Sequence, residues 1–274
     1  VQDATVGTVV TLAGVRIARF SSDGAEPRFG LVGTADGVEV VATLAGDPMY
    51  AGVELTGDRH PVEDVRLLAP VIPRSKVVGI GRNYAEHAAE LAHELPDQPL
   101  IFLKPNTSVI GPGDPIVYPA ATSDLHHEGE LAVVIGRICK DVAVERVAEV
   151  VRGYTVANDV TARDLQKQDA TWARAKGYDS FCPIGPWIET DLDVSDLRIT
   201  TTVGDEVRQD GRTSLMIFDV PTLVSYVSSV MTLLPGDLIL TGTPAGVGPM
   251  VVGDRVSVTV DGIGTLVNPV VAHD

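Results

Sequence analysis

The stretch HHEGELAVVIG, residues 126–136, constrains the fold of this 274-residue chain more than any other segment. Alternate residues of an extended strand face the same side. Glu128, Glu130, Ala132 and Val134 therefore share one face, and Leu131, Val133 and Ile135 share the other. Apolar side chains on both faces predict a strand covered on both, at least toward its C-terminal end. Two carboxylates roughly 7 Å apart on such a face repel each other. Either one of them takes up a proton, at about 1.4 kcal/mol for each pKa unit, or a cation lies between them.

The surrounding chain reads as mainly β with some α. Residues 1–70 carry short β-like runs (VGTVVTL, GVRIARF, RFGLVG, GVEVVATL) divided by Gly, Asp and Ser, which predicts a small β-rich leading domain. Two nearby prolines in LLAPVIPRSKVVGIGRN put the boundary near Pro70 to Ile72, leaving 71–274 as one larger domain. Three helices are expected in it. EHAAELAHEL ends at Pro96, VERVAEVVRGY stops at Gly153, and DVPTLVSYVSSVMTLLPGD has Pro221 in its first turn and ends before Pro235. The tail DRVSVTVDGIGTLVNPV alternates as a hairpin does.

Composition excludes several classes of function. No apolar run approaches the eighteen or so residues of a membrane span, and the first residues lack a basic segment ahead of an apolar one, so a cytoplasmic protein without a membrane partner is expected. A net charge of -16 argues against a nucleic-acid partner. A chain this acidic that handles an anion must focus positive charge locally, and a bound divalent cation does so. Cys139 and Cys182 are too few for a disulfide framework or a structural zinc cluster.

Several segments have residue types suited to chemistry. GIGRNY, 79–84, lacks the third glycine of a dinucleotide loop, and TGTPAGVG, 241–248, lacks the Gly-Lys-Ser/Thr ending of a Walker loop. The second is either a tight turn or an anion site built from backbone N–H groups. A second apolar strand, GYTVANDVTARD, ends in Asp159; with Glu128 and Glu130 it makes a carboxylate set suited to Mg²⁺ or Mn²⁺. The competing reading of the glutamates is a solvated strand face. Neighbouring His126 and His127 point to opposite faces of a strand and cannot share one ion. His87 and Glu90, at i and i+3 on the expected helix, are either a carboxylate-supported general base or an exposed pair. Lys176, in a loop rich in aromatic and small residues, offers an oxyanion partner or, if burial lowered its pKa, a Schiff-base nucleophile. Arg82, Lys104 and Arg163 are candidates for pairing with substrate carboxylates or for structural ion pairs.

Taken in order, GRNYAEH, IFLKP, HHEGELAVVIG, GYTVANDVTARDLQ, AKGYDSFCPIGPW, GRTSLMIF and LPGDLILTGTPAGVG resemble the fumarylacetoacetate hydrolase family over residues 74 to about 260. The leading residues are similar, more loosely, to the small N-terminal domain of bacterial members. The resemblance implies an α+β fold, a mixed β-sandwich roll, and a homodimer. It also implies Mg²⁺ or Mn²⁺ held by Glu128, Glu130 and Asp159, a His87–Glu90 dyad on a lid helix, and Lys176 near the metal. Arg82, Tyr84, Gln166 and Thr243 are the implied substrate contacts. The implied substrate is a small anionic α-keto acid that reacts through a stabilised enolate. Acylpyruvate hydrolysis at a C–C bond and oxaloacetate decarboxylation are the leading outcomes. Isomerisation of a 2-hydroxy-2,4-dienedioate in aromatic catabolism is an alternative, as are a metal-free Schiff-base lyase and a non-catalytic binder on the same fold.

Overall fold

A computed structural model of the chain describes residues 14–22, 24–86 and 95–273. Strands dominate it. The strand Gly129–Ile135 is buried at every residue, and the reason is the two-faced apolar pattern. Leu131, Val133 and Ile135 pack into one core with Ile199, Val258 and Leu266, while Ala132 and Val134 pack into a second with Ile17, Leu31 and Ile184.

This strand is central to a large mixed sheet. It pairs antiparallel with Val151–Asn158 on one side and with Leu238–Leu240 on the other; Leu238–Leu240 in turn runs parallel to Val77–Gly81, which is followed by Leu100–Lys104 at the edge. Beyond Val151–Asn158 lies Cys182–Glu189, and then the leading strands Arg16–Ser21, Arg28–Ala35, Val38–Leu44 and Leu55–Pro61. The leading β runs thus hydrogen-bond directly into the large sheet through Arg16 and Ile17 opposite Glu189 and Ile188. The run VGTVVTL lies outside the described residues.

A five-stranded sheet covers one face of the large one. It contains the expected tail hairpin, Arg255–Val260 with Gly264–Ala272, and beside it Arg198–Val203 and Glu206–Arg212. The two sheets are in close contact at Gly129, where an added Cβ would lie 2.2 Å from Thr201 Oγ1 and 2.9 Å from a Val258 methyl. Gly129→Ala is therefore expected to cost about 1–3 kcal/mol by overpacking, read as a lower urea midpoint at unchanged slope.

The helix Val220–Val230 forms as the sequence predicts. Asp219 accepts the Thr222 N–H at 2.9 Å as its N-cap, and Pro221 occupies the first turn. The expected helix over VERVAEVVRGY does not form. Val144–Glu149 is a 3₁₀ helix, and VVRGY enters the strand Val151–Asn158. From β-branched Val151 onward the chain is extended, and pairing with Gly129–Ile135 overrides the helical periodicity. Of the helix expected before Pro96, residues 87–94 lie outside the described residues. No helix of the described residues is long and apolar enough to cross a membrane.

Candidate active site

Strand register brings the acids together. Gly129 pairs with Asn158 and Glu130 with Ala157, so the glutamates meet Asp159 where the two strands end. One oxygen from each of Glu128, Glu130 and Asp159 lies within 4.8 Å of the others, and all three residues are buried. The junction is fixed by Asn158 Oδ1, which accepts the Glu128 N–H at 2.9 Å, and by the Asp159 N–H, which donates to the Glu128 carbonyl at 2.8 Å.

Three buried cations are interleaved with these acids. Lys176 Nζ donates to Glu128 Oε2 at 2.8 Å and to Asp159 Oδ2 at 2.5 Å. Lys104 Nζ donates to Asp159 Oδ1 at 2.5 Å, and the Arg163 guanidinium to Glu128. Lys104 and Arg163 thus serve the acids rather than standing open to a substrate carboxylate. Burial alone would lower Lys176; the charges of Asp159 and Glu128 outweigh it and hold the ammonium above its ordinary value. Lys176 closes a short helix, Ala173–Lys176, where a loop was expected.

Glu130 is placed differently. Its Oε2 accepts the Gly242 N–H at 2.7 Å, so the glycine-rich turn does bind an anion, the protein's own carboxylate. Among the described residues no lysine or arginine stands within ion-pair distance of it. Burial first, then the charges of Asp159 and Glu128, push its carboxyl well above the ordinary range. A buried acid short of a counter-charge, in an all-oxygen set of three, is what a hard dication such as Mg²⁺ or Mn²⁺ fits. Zinc would prefer nitrogen or sulfur.

Arg82, Gln166, Thr243 and Lys176 line the same hollow as the three acids, with Phe102 and Trp172 as its apolar wall. Arg82 sits at φ 59° and its Nε is buried without a hydrogen-bond partner among the described residues. Gln166 Oε1 accepts from Arg163 at 2.6 Å, and Thr243 Oγ1 donates to the Gly129 carbonyl at 2.8 Å. GIGRNY has its glycines for a packing reason: a Cβ on Gly79 would lie 2.1 Å from the Phe102 ring, and one on Gly81 2.7 Å from Trp172. Tyr84 lines an adjoining hollow with Glu86, Asp210 and Pro244. Its hydroxyl is buried and has no hydrogen-bond partner among the described residues, and burial, with the charge of Glu130 second, raises it. His87 and Glu90 lie outside the described residues.

Sequence reading passed over Gln209. Buried on the hairpin strand Glu206–Arg212, it accepts the Gly129 N–H at 2.9 Å and donates to Thr243 Oγ1 at 2.7 Å and to the Pro244 carbonyl at 2.8 Å. A glutamine on an alternating strand gives no signal that separates it from an exposed one.

The family model for the fumarylacetoacetate hydrolase C-terminal region matches residues 76–271, and one for an Rv2993c-like N-terminal region matches 15–70. The chain belongs to the fumarylacetoacetate hydrolase family. A solved 5-carboxymethyl-2-hydroxymuconate delta-isomerase from Mycobacterium smegmatis is 53% identical, with a TM-score of 0.87 over 94% of this chain and 100% of its own. A mitochondrial oxaloacetate decarboxylase from Dictyostelium discoideum is 45% identical over 69% of this chain and 90% of its own. A maleylpyruvate hydrolase from Sphingobium sp. SYK-6, solved with manganese(II) and pyruvate, is 33% identical with a TM-score of 0.77, over 94% of this chain and 100% of its own. The relatives with named activities are enzymes of one family, and the acidic cluster here is a possible metal site.

Proposed function

We propose that the protein is a Mg²⁺- or Mn²⁺-dependent enzyme that forms the enolate of a small dianionic 2-oxo acid, with decarboxylation of oxaloacetate as the reaction its site supports best. The observation that carries this reading is the charge arrangement. The three carboxylates are matched by Lys104, Lys176 and Arg163. Counting the described residues alone, a dication held by Glu128, Glu130 and Asp159 would bring an excess of two positive charges, to which Arg82 adds a third, and a dicarboxylate balances this better than a monoacid does. When bound, the dication supplies Lewis-acid polarisation of the 2-oxo and carboxylate oxygens.

The chain's own groups do the rest. Arg82, which makes no ion pair among the described residues, holds the distal carboxylate. Lys176 Nζ keeps its proton and its charge beside the 2-oxo oxygen, where negative charge develops. Phe102 and Trp172 exclude water from that side. The C3–C4 bond breaks, CO₂ leaves, its bonding pair is taken into the enolate, and C3 receives a proton. The Schiff-base route needs a neutral Lys176, which its two carboxylate partners oppose. The likeness to the M. smegmatis isomerase favours proton shuttling along a dienedioate as the second reading.

The test follows ultraviolet absorbance of oxaloacetate, acetylpyruvate and a 2-hydroxy-2,4-dienedioate with Mn²⁺, with Mg²⁺ and with EDTA. Oxaloacetate should be consumed with stoichiometric pyruvate and CO₂, and EDTA should abolish this. Turnover indifferent to EDTA, or isomerisation of the dienedioate without reaction of oxaloacetate, sinks the proposal.

A further inference from the structure

A second cavity, of about 180 Å³, lies between the leading strands and the far end of the large sheet. It is several times the ~30 Å³ that one water occupies in the liquid. Its lining includes apolar Ile17, Phe29 and Ile188, and with them three arginines, Arg19, Arg74 and Arg152. None of the three makes an ion pair among the described residues. In a chain of net charge -16, three arginines converging on one apolar hollow call for an anionic occupant.

The backbone is built to put Arg152 there. Val134 pairs with Gly153 but Ile135 pairs with Val151, so Arg152 is the extra residue of a β-bulge. Bulges re-aim a side chain at the expense of ladder pairing, and they are over-represented next to functional sites. Gly136 makes room for it, since a Cβ there would come 3.1 Å from Arg152 Cβ. Arg152 Nε is then buried with no hydrogen-bond partner among the described residues. Arg74 lies 4.2 Å over the Tyr50 ring, which holds its guanidinium at the rim. Among the described residues the one acid lining the cavity is Asp47, which accepts the Met49 N–H at 2.9 Å. Burial lowers Arg19 despite the attraction of Asp47, the mark of a guanidinium taken from water without a close counter-ion.

The geometry points to a second ligand site, remote from the carboxylate cluster, that takes a small organic carboxylate with an apolar body. The carboxylate meets Arg152 and Arg74, and the body lies on Ile17, Phe29 and Ile188. Arg152 stands seven residues before Asp159 along one extended segment, roughly 20 Å away, so this ligand is not the substrate of the acid site.

The probe is benzoate, with neutral benzamide as its isostere, titrated calorimetrically into the full chain with and without Mn²⁺ and oxalate. One benzoate should bind per chain in either condition. Affinity should fall about tenfold or more in Arg152→Gln and in Arg74→Ala, the loss of one charge-assisted contact. Benzamide should give no saturable heat. Arg74 is exposed, so that variant keeps the test decisive if Arg152→Gln does not fold. Absence of benzoate binding, equal binding of benzamide, or undiminished affinity in Arg74→Ala overturns the proposal. Displacement of benzoate by Mn²⁺ and oxalate assigns the signal to the acid site and overturns it as well.

Discussion

Replacing Glu130 with Gln should cut Mn²⁺ affinity by about a hundredfold and reduce kcat/KM with it, while leaving the metal-free protein at least as stable as the parent. The first two effects follow from the chemistry of hard cations, which bind charged oxygen and dehydrate only when charge repays them. The third follows from the placement of Glu130. It is the acid of the cluster without a cationic partner among the described residues, and its contact with the Gly242 N–H at 2.7 Å survives in an amide, whose oxygen still accepts. A neutral isostere relieves the repulsion from Asp159 and Glu128 that raises this carboxyl. Calorimetric titration of Mn²⁺ and thermal melts in EDTA read the two halves separately. Parental Mn²⁺ affinity in Glu130→Gln would mean that the acids are a structural ion-pair network and not a metal centre.

Much of that cluster is legible in the sequence. Residues two apart on a strand share a face, so Glu128 and Glu130 had to be neighbours, and apolar residues on both faces of the same strand implied that they were covered. Asp159 entered as another acid ending an apolar strand. Twenty-nine residues from Glu130, it is joined to it by the register of Gly129 opposite Asn158, which periodicity alone does not supply. The cations were harder to assign. Lys104 ends the edge strand Leu100–Lys104 and Arg163 opens the short helix Arg163–Gln168, and nothing local marks either as a partner of a carboxylate far along the chain. The same holds for Gln209, and for Arg19, Arg74 and Arg152. Their meeting depends on how the leading strands join the large sheet and on a bulge with no consensus sequence.

The 3₁₀ segment shows the converse, a local pattern overruled. VERVAEVVRGY has helical spacing, but its second half carries Val150, Val151 and Gly153 opposite a strand already fixed in the core. Gly153 lies where a Cβ would meet the Glu189 carbonyl at 2.3 Å. Only a residue without a side chain lets the neighbouring strand Cys182–Glu189 approach so closely, and that pairing draws the chain into the sheet.

Lys176→Met should be the most damaging single change at the site, and its damage should divide into a part that metal repairs and a part that it does not. The ammonium bridges Glu128 and Asp159 from a position 2% exposed. Deleting one partner of a buried ion pair costs about 3–5 kcal/mol, because the charge left behind has lost its solvent and its counter-ion. The melting temperature in EDTA should therefore drop by many degrees. Mn²⁺ should recover most of that loss, since a dication between the same acids supplies the missing charge, and its affinity for the variant should be no weaker than for the parent. Activity should not recover. Removing a preorganised donor from the oxygen where charge develops lowers kcat on the order of 10²–10³-fold. Lys176→Arg should fare little better, because a planar fork cannot reproduce a point charge bridging two acids and lying 5.0 Å from the centre of the Phe102 ring. A variant that is stabilised by Mn²⁺ yet catalytically dead would separate the proposed role of Lys176 at the reacting oxygen from its role in holding the acids. Full restoration of kcat by Mn²⁺ would reduce Lys176 to a structural counter-charge and pass the oxyanion role to another group.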